Sequence, residues 1–186
     1  MLFPEPDALA LQMPKGNRPW ASYFVTYAIE VRVPAELIAA HCWRESRGGF
    51  MLTPKGPEGT GDNGHGRGLM QIDDRYHKEF IALVDPNGFP LWQKPEHNIA
   101  YGANLIANNL CDWPESLPAA VARYNASAAR VSMALKRGDH PDSVTTGGDY
   151  VAEVLTNAQS WHAALAKEPG KCRCCLCHFT FGDSIC

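Results

Sequence analysis

The 186-residue sequence has no stretch approaching the roughly 18 consecutive apolar residues that a membrane-spanning helix requires. Positive charge is not in excess either: 17 Lys and Arg against 20 Asp and Glu give a formal charge of −3. The basic footprint of a nucleic-acid or anionic-membrane binder is therefore missing. Cysteine is scarce where a core would form. Of seven, Cys172, Cys174, Cys175, Cys177 and Cys186 crowd into the C-terminal tail, leaving Cys42 and Cys111 for the body. A disulfide scaffold is excluded for the body, whose two cysteines form one bridge at most or pack as small apolar side chains. Glu5 and Asp7 stand where an export signal needs basic residues, and Pro4 and Pro6 break its short apolar run, so no export signal is read.

Apolar residues make up 45% of the chain and charged residues 20%, values typical of a globular domain, which excludes disorder and a collagen-like chain. Residues 1–16, rich in proline and poor in apolar anchors, read as an N-terminal arm with little to pack against. From Pro19, the three- and four-residue spacing of Trp20, Phe24, Tyr27, Ala28 and Val31 predicts an amphipathic helix ending before Pro34. A second helix carries an apolar stripe of Leu37, Ile38, Cys42 and Trp43 and stops at Gly48 and Gly49.

Periodicity then vanishes. The run PKGPEGTGDNGHGRG, Pro54 to Gly68, holds more glycine and proline than a helix tolerates and predicts a loop or a small hairpin. The following LMQID fits a short strand or an extended piece. Further helices are predicted from Pro95, with Ile99, Ala103, Ile106 and Leu110 on one face, and from Pro118 through Tyr124. A short helix follows, with Ser127 as N-cap and Gly138 past its end. The last runs from Asp149 to about Lys167, with Tyr150, Val154, Ala158, Trp161 and Leu165 aligned. The fold class is mainly α, and the glycine-rich interruption is where function is sought.

Glu45 follows Ile38 by two helical turns, which puts it on the apolar side of the second helix near its C-terminus. Desolvation and the negative end of the helix dipole both disfavour a carboxylate there and raise its pKa. A carboxyl group still protonated near neutral pH is what glycosidic cleavage needs, because the departing oxygen must receive a proton. Taken alone, such a Glu is usually a helix-end residue paired with Arg44, Arg47 or His41.

The run VPAELIAAHCWRESRGG, then GDNGHGRGLMQIDDRYHK, PEHNIAYGANLI, AAVARYNA and TTGGDYVAEVL occur in this order between Val33 and Leu155. Together they resemble the goose-type lysozymes, within the wider group of lysozyme-like lytic transglycosylases. The resemblance implies a lysozyme-like helical domain over residues 17–168 that cleaves the bond between N-acetylmuramic acid and N-acetylglucosamine in peptidoglycan. It matches Glu45 to the catalytic acid, and Asp62 and Asp73 to the acidic residues that position and activate water. Gln71, His77, Tyr124, Asn125 and Tyr150 match residues lining the sugar cleft, and Ser46 is expected to support the acid by a hydrogen bond. No metal or other cofactor is implied. The expected partner is the peptidoglycan glycan strand, met by a monomer at the bacterial cell wall, extracellular or periplasmic, by an export route the sequence does not reveal.

Two alternatives stand beside hydrolysis. A lytic transglycosylase uses Glu45 as acid and then base, the muramic acid 6-hydroxyl attacks, and 1,6-anhydromuramic ends form; a non-catalytic peptidoglycan-binding protein retains the cleft without turnover. Asp62 and Asp73 favour hydrolysis, since an inverting enzyme needs a second carboxylate with a water between it and the acid. The chain departs from the family at Ser127, where a glycine is usual, at Arg67, where an aromatic or apolar residue is usual, and in a longer segment between Glu45 and Asp62. Its charge of −3 also predicts weaker activity at low salt than a basic lysozyme shows. The tail, residues 169–186, places Cys172, Cys174, Cys175 and Cys177 beside His178. Metal binding, irregular disulfides and an incidental tail all fit that composition, though no second thiol cluster exists to complete a conventional zinc module.

Overall fold

A computed structural model describes residues 3–167; the cysteine tail lies outside the described residues. Eight α-helices occur among them: α1 (Pro6–Gln12), α2 (Ala21–Val31), α3 (Ala35–Ser46), α4 (Lys78–Ile81), α5 (Pro95–Asp112), α6 (Leu117–Asn125), α7 (Ala128–Arg137) and α8 (Tyr150–Ala166). Three two-residue strands, β1 (Thr60–Gly61), β2 (Gly66–Arg67) and β3 (Ile72–Asp73), form an antiparallel sheet in that order. The mainly α fold expected for the sequence is the fold found, and no described helix is long and apolar enough to cross a membrane.

Helix α3 is the centre of the molecule. It packs against α2, α5 and α8, so every residue from Ala35 to Cys42 is buried, and not just one stripe. A helix enclosed on all sides needs small residues where neighbours approach closely, and Ala35, Ala39 and Ala40 serve that need. Two polar side chains are enclosed with them. Glu36 lies 3.0 Å from His162 of α8, and His41 lies beneath the active-site candidates. Buried polar groups persist when they are partnered.

The reading of residues 1–16 as an arm with nothing to pack on needs correction. Pro6 occupies the first turn of α1, and Ala8, Leu9 and Met13 are buried against α2 and α8. Three apolar residues within six positions suffice for one short amphipathic face, which the neighbouring prolines obscured. The glycine-rich loop does contain a hairpin, with Thr60 opposite Arg67 and Gly61 opposite Gly66. LMQID resolves into a turn followed by strand β3. Ser127 caps α7, accepting from the Arg130 amide at 3.4 Å, and Gly138 closes it in the left-handed region at φ 75°. The serine at the usual glycine position thus has a structural duty. Cys42 is a free buried thiol, whereas Cys111 is disulfide-bonded, so the two do not pair with each other.

Candidate active site

Glu45 sits one residue before the C-terminus of α3, where Arg47 adopts a left-handed conformation at φ 52° and ends the helix. Its carboxyl is partly buried. Tyr150, the first residue of α8, donates its hydroxyl proton to Glu45 Oε1 at 2.5 Å. The same hydroxyl oxygen lies 3.0 Å from His41 Nδ1, one turn back on α3. Tyr124 of α6 closes the group, its ring centroid 4.9 Å from that of His41. Burial is the main influence on Glu45 and raises its pKa to about 7, against smaller lowering effects from the Tyr150 hydroxyl and the Arg44 charge.

The helix end that carries Glu45 is clamped to α8. Arg44 pairs with Asp149 at 2.7 Å and with Glu153, and Arg47 also pairs with Glu153. Shared carboxylates and partial burial distinguish this network from isolated surface ion pairs, which contribute little. Its consequence is positional, because it fixes the start of α8, and hence Tyr150, against the end of α3.

A second group gathers on the sheet. Arg75 places one guanidinium nitrogen 2.7 Å from Asp62 Oδ2 and 2.5 Å from Asp73 Oδ2, so one cation bridges both carboxylates. The Asp62 side chain is 58% exposed and that of Asp73 25%, which leaves both accessible to water. Hydrogen bonding from Arg75 is the leading cause holding the Asp73 carboxyl below the usual range, and therefore ionised at neutral pH. Asp62 and Asn63 both adopt positive φ, at 46° and 55°, residue types that tolerate that region. The sequence reading missed Arg75. Its proximity to Asp73 in IDDR was a signal, but its bond to Asp62 depends on the hairpin's path.

The segment Leu69 to Gln71 joins the two groups. Ser46 Oγ donates to the Leu69 carbonyl at 2.7 Å and accepts from the Gly49 amide at 3.1 Å, and Tyr124 donates to the Met70 carbonyl at 3.0 Å. The Met70 amide donates to Asn98 Oδ1 of α5 at 2.8 Å. Asp73 is thereby held in register with the end of α3 and with α6.

Two expectations are corrected here. Ser46 is 0% exposed and bonds the Leu69 segment, so it neither supports Glu45 directly nor reaches a sugar. Tyr150, at 1% exposed, is no cleft wall; it touches the acid from beneath. Both motifs were informative, but neighbours in sequence do not determine which way a side chain at a helix end turns. Replacing Ser46 with alanine leaves the Gly49 amide and the Leu69 carbonyl without their side-chain partner. The expected loss is about 1–3 kcal/mol of stability, measured by denaturant unfolding.

The remaining candidates keep some exposed surface. Gln71 adopts φ 49°, donates from Nε2 to the Gly68 carbonyl at 2.7 Å, and lays its amide across the hairpin. A Cβ at Gly61 or Gly66 would fall 2.2 or 2.3 Å from Gln71 Oε1, so a side chain at either position would displace the Gln71 amide. Asn125 Oδ1 accepts from the Thr146 amide at 2.7 Å, tying the end of α6 to the TTGG segment. His77 Nδ1 lies 3.1 Å from the Tyr101 hydroxyl, and burial lowers its pKa.

Comparison with known proteins places the chain in a family. The family model described as Lysozyme g matches residues 18–164. Lysozyme g of Epinephelus coioides is 32% identical over 146 residues, spanning 68% of this chain and 65% of that protein. Lysozyme g of Struthio camelus is 30% identical over 129 residues, spanning 68% and 58%. The chain thus spans less than two thirds of the length of these relatives. On the extent of the family match, the chain belongs to the lysozyme g family.

Proposed function

We propose that this chain is a peptidoglycan muramidase that hydrolyses the β-1,4 bond between N-acetylmuramic acid and N-acetylglucosamine with inversion. Glu45 is the general acid. With a pKa of about 7 it keeps its proton over most of the acidic and neutral range and delivers it to the departing glycosidic oxygen. Asp62 and Asp73 position the attacking water, and Asp73, ionised by its contact with Arg75, takes up the water's proton as the new bond to the anomeric carbon forms.

The observation that carries the reading is the contrast between the two carboxyl environments, one partly buried and raised, the other ion-paired and lowered. Gln71, His77, Tyr124 and Asn125, each with surface still open, are proposed to contact the sugars. The substrate is the glycan strand of the bacterial wall, and the mechanism calls on no cofactor. The catalytic unit is taken as residues 17–168, acting as a monomer outside the cytoplasmic membrane.

Mass analysis of digested purified peptidoglycan tests this directly. Reducing N-acetylmuramic acid ends are expected from the wild type and none above background from Glu45→Gln. Predominant 1,6-anhydromuramic ends point instead to transglycosylation, and tight binding without products to a non-catalytic wall-binding protein.

A further inference from the structure

We propose that His41 is a positioning residue of this site: acting through Tyr150, it keeps Glu45 Oε1 as a hydrogen-bond acceptor and so confines the acid's transferable proton to Oε2. The inference deepens the muramidase reading and rests on Glu45 being the acid.

His41 is 1% exposed, and its Nε2 is buried with no hydrogen-bond partner among the described residues. Its other nitrogen, Nδ1, lies 3.0 Å from the Tyr150 hydroxyl oxygen. A neutral imidazole carries one proton, on one nitrogen or the other. On Nε2 that proton would be a buried donor with nothing to bond. On Nδ1 it leaves only a lone pair unmatched, and buried orphan acceptors are better tolerated than buried orphan donors. His41 is therefore the Nδ1–H tautomer and donates to the Tyr150 oxygen.

A phenol has one proton to give. With its oxygen accepting from His41, Tyr150 directs that proton along the 2.5 Å contact to Glu45 Oε1. A carboxyl oxygen accepting on that line does not carry its own proton toward Tyr150. When Glu45 is protonated the proton resides on Oε2, which has no hydrogen-bond partner among the described residues and is left for the glycosidic oxygen.

The remaining groups around the carboxyl do not compete for this duty. On α3, Arg44 is engaged by Asp149 and Glu153, and burial drives the Cys42 thiol up to about 12. From α6 and α8, Tyr124 and Tyr150 are held neutral, their pKa values raised well above the ordinary phenol value chiefly by burial. The Tyr124 hydroxyl is committed to the Met70 carbonyl. His41 itself stays neutral, since burial lowers it to about 3.

Nitrogen-15 spectra of the imidazole in the wild-type protein read the tautomer directly. Protonated Nδ1 is expected, and protonated Nε2 overturns the proposal however any variant folds. The second arm follows the Glu45 carboxyl by carbon-13 titration, assigned with Glu45→Gln. His41→Phe keeps a ring but frees the Tyr150 hydroxyl to accept from Glu45, removing its selective support of the anion. The Glu45 titration is expected to rise by about half to one pH unit, and kcat to fall severalfold. His41→Asn, whose amide nitrogen stands near the place of Nδ1, is expected to restore both. A packing role alone predicts that His41→Phe titrates as the wild type does, and that result also overturns the proposal. Neither spectrum requires turnover, so a wild type without lytic activity sinks the muramidase reading, whereas a protonated Nε2 or an unshifted Glu45 titration sinks this one alone.

Discussion

Glu45→Gln is expected to reduce peptidoglycan cleavage by about three orders of magnitude, the middle of the range for loss of a general acid. The amide preserves shape, and its oxygen still accepts from Tyr150, so the helix end and its ion pairs remain in place. The same substitution is expected to make the protein more stable above pH 7. In the wild type the folded-state pKa of about 7 exceeds the ordinary 4.5, so between those values the folded chain holds a proton the unfolded chain has released. Stability therefore falls as pH rises from 4.5 to 7, and the deficit persists above. Its ceiling is about 3 kcal/mol, reduced by the water contact that the partly exposed carboxyl keeps. Glutamine has no such deficit. Denaturant unfolding at pH 4 and pH 8 measures it: variant and wild type should agree at the lower pH and separate at the higher, with the variant the more stable. A variant less stable at both would mean that Glu45 is a helix-end residue serving the fold.

The second large effect is expected at the bridged carboxylates. Asp73→Asn removes the proposed base and the closer of Arg75's two contacts, and should lower kcat about a hundredfold or more. Asp62→Asn is expected to fall less, because Asp62 is the more exposed of the pair and the base is assigned to Asp73. If both variants cleave at the wild-type rate and yield anhydro ends, no second carboxylate is used. Arg75 makes a milder control: replacing it should let the Asp73 pKa climb from its lowered position and move the acidic limb of the rate profile upward.

The parts of the fold that the sequence makes legible are those governed by local rules. Ser127 and Gly138 bracket α7 through capping geometry that needs nothing beyond the helix itself. Glycines 61 and 66 announce a hairpin, though the Gln71 amide lying across them, which a side chain at either would displace, is a tertiary contact. Glu45 is visible from its helical face together with the ordered motifs. What surrounds it is less visible. His41 and Tyr150 are 109 residues apart, and their meeting depends on α8 packing along α3. Ser46 looks like the partner of its neighbour Glu45, yet it turns inward to a carbonyl 23 residues away. The apolar stripe assigned to α3 described half of a helix that is enclosed all round.

The central claim is that partial burial keeps Glu45 protonated until about pH 7 and that this proton is the one transferred. Carbon-13 titration of the Glu45 carboxyl, set beside the pH dependence of kcat/KM on soluble glycan fragments, tests both halves in one comparison. A carboxyl midpoint near pH 7 is expected, with an alkaline loss of kcat/KM that follows it. A midpoint near the ordinary 4.5, with cleavage continuing undiminished through neutral pH, would contradict it.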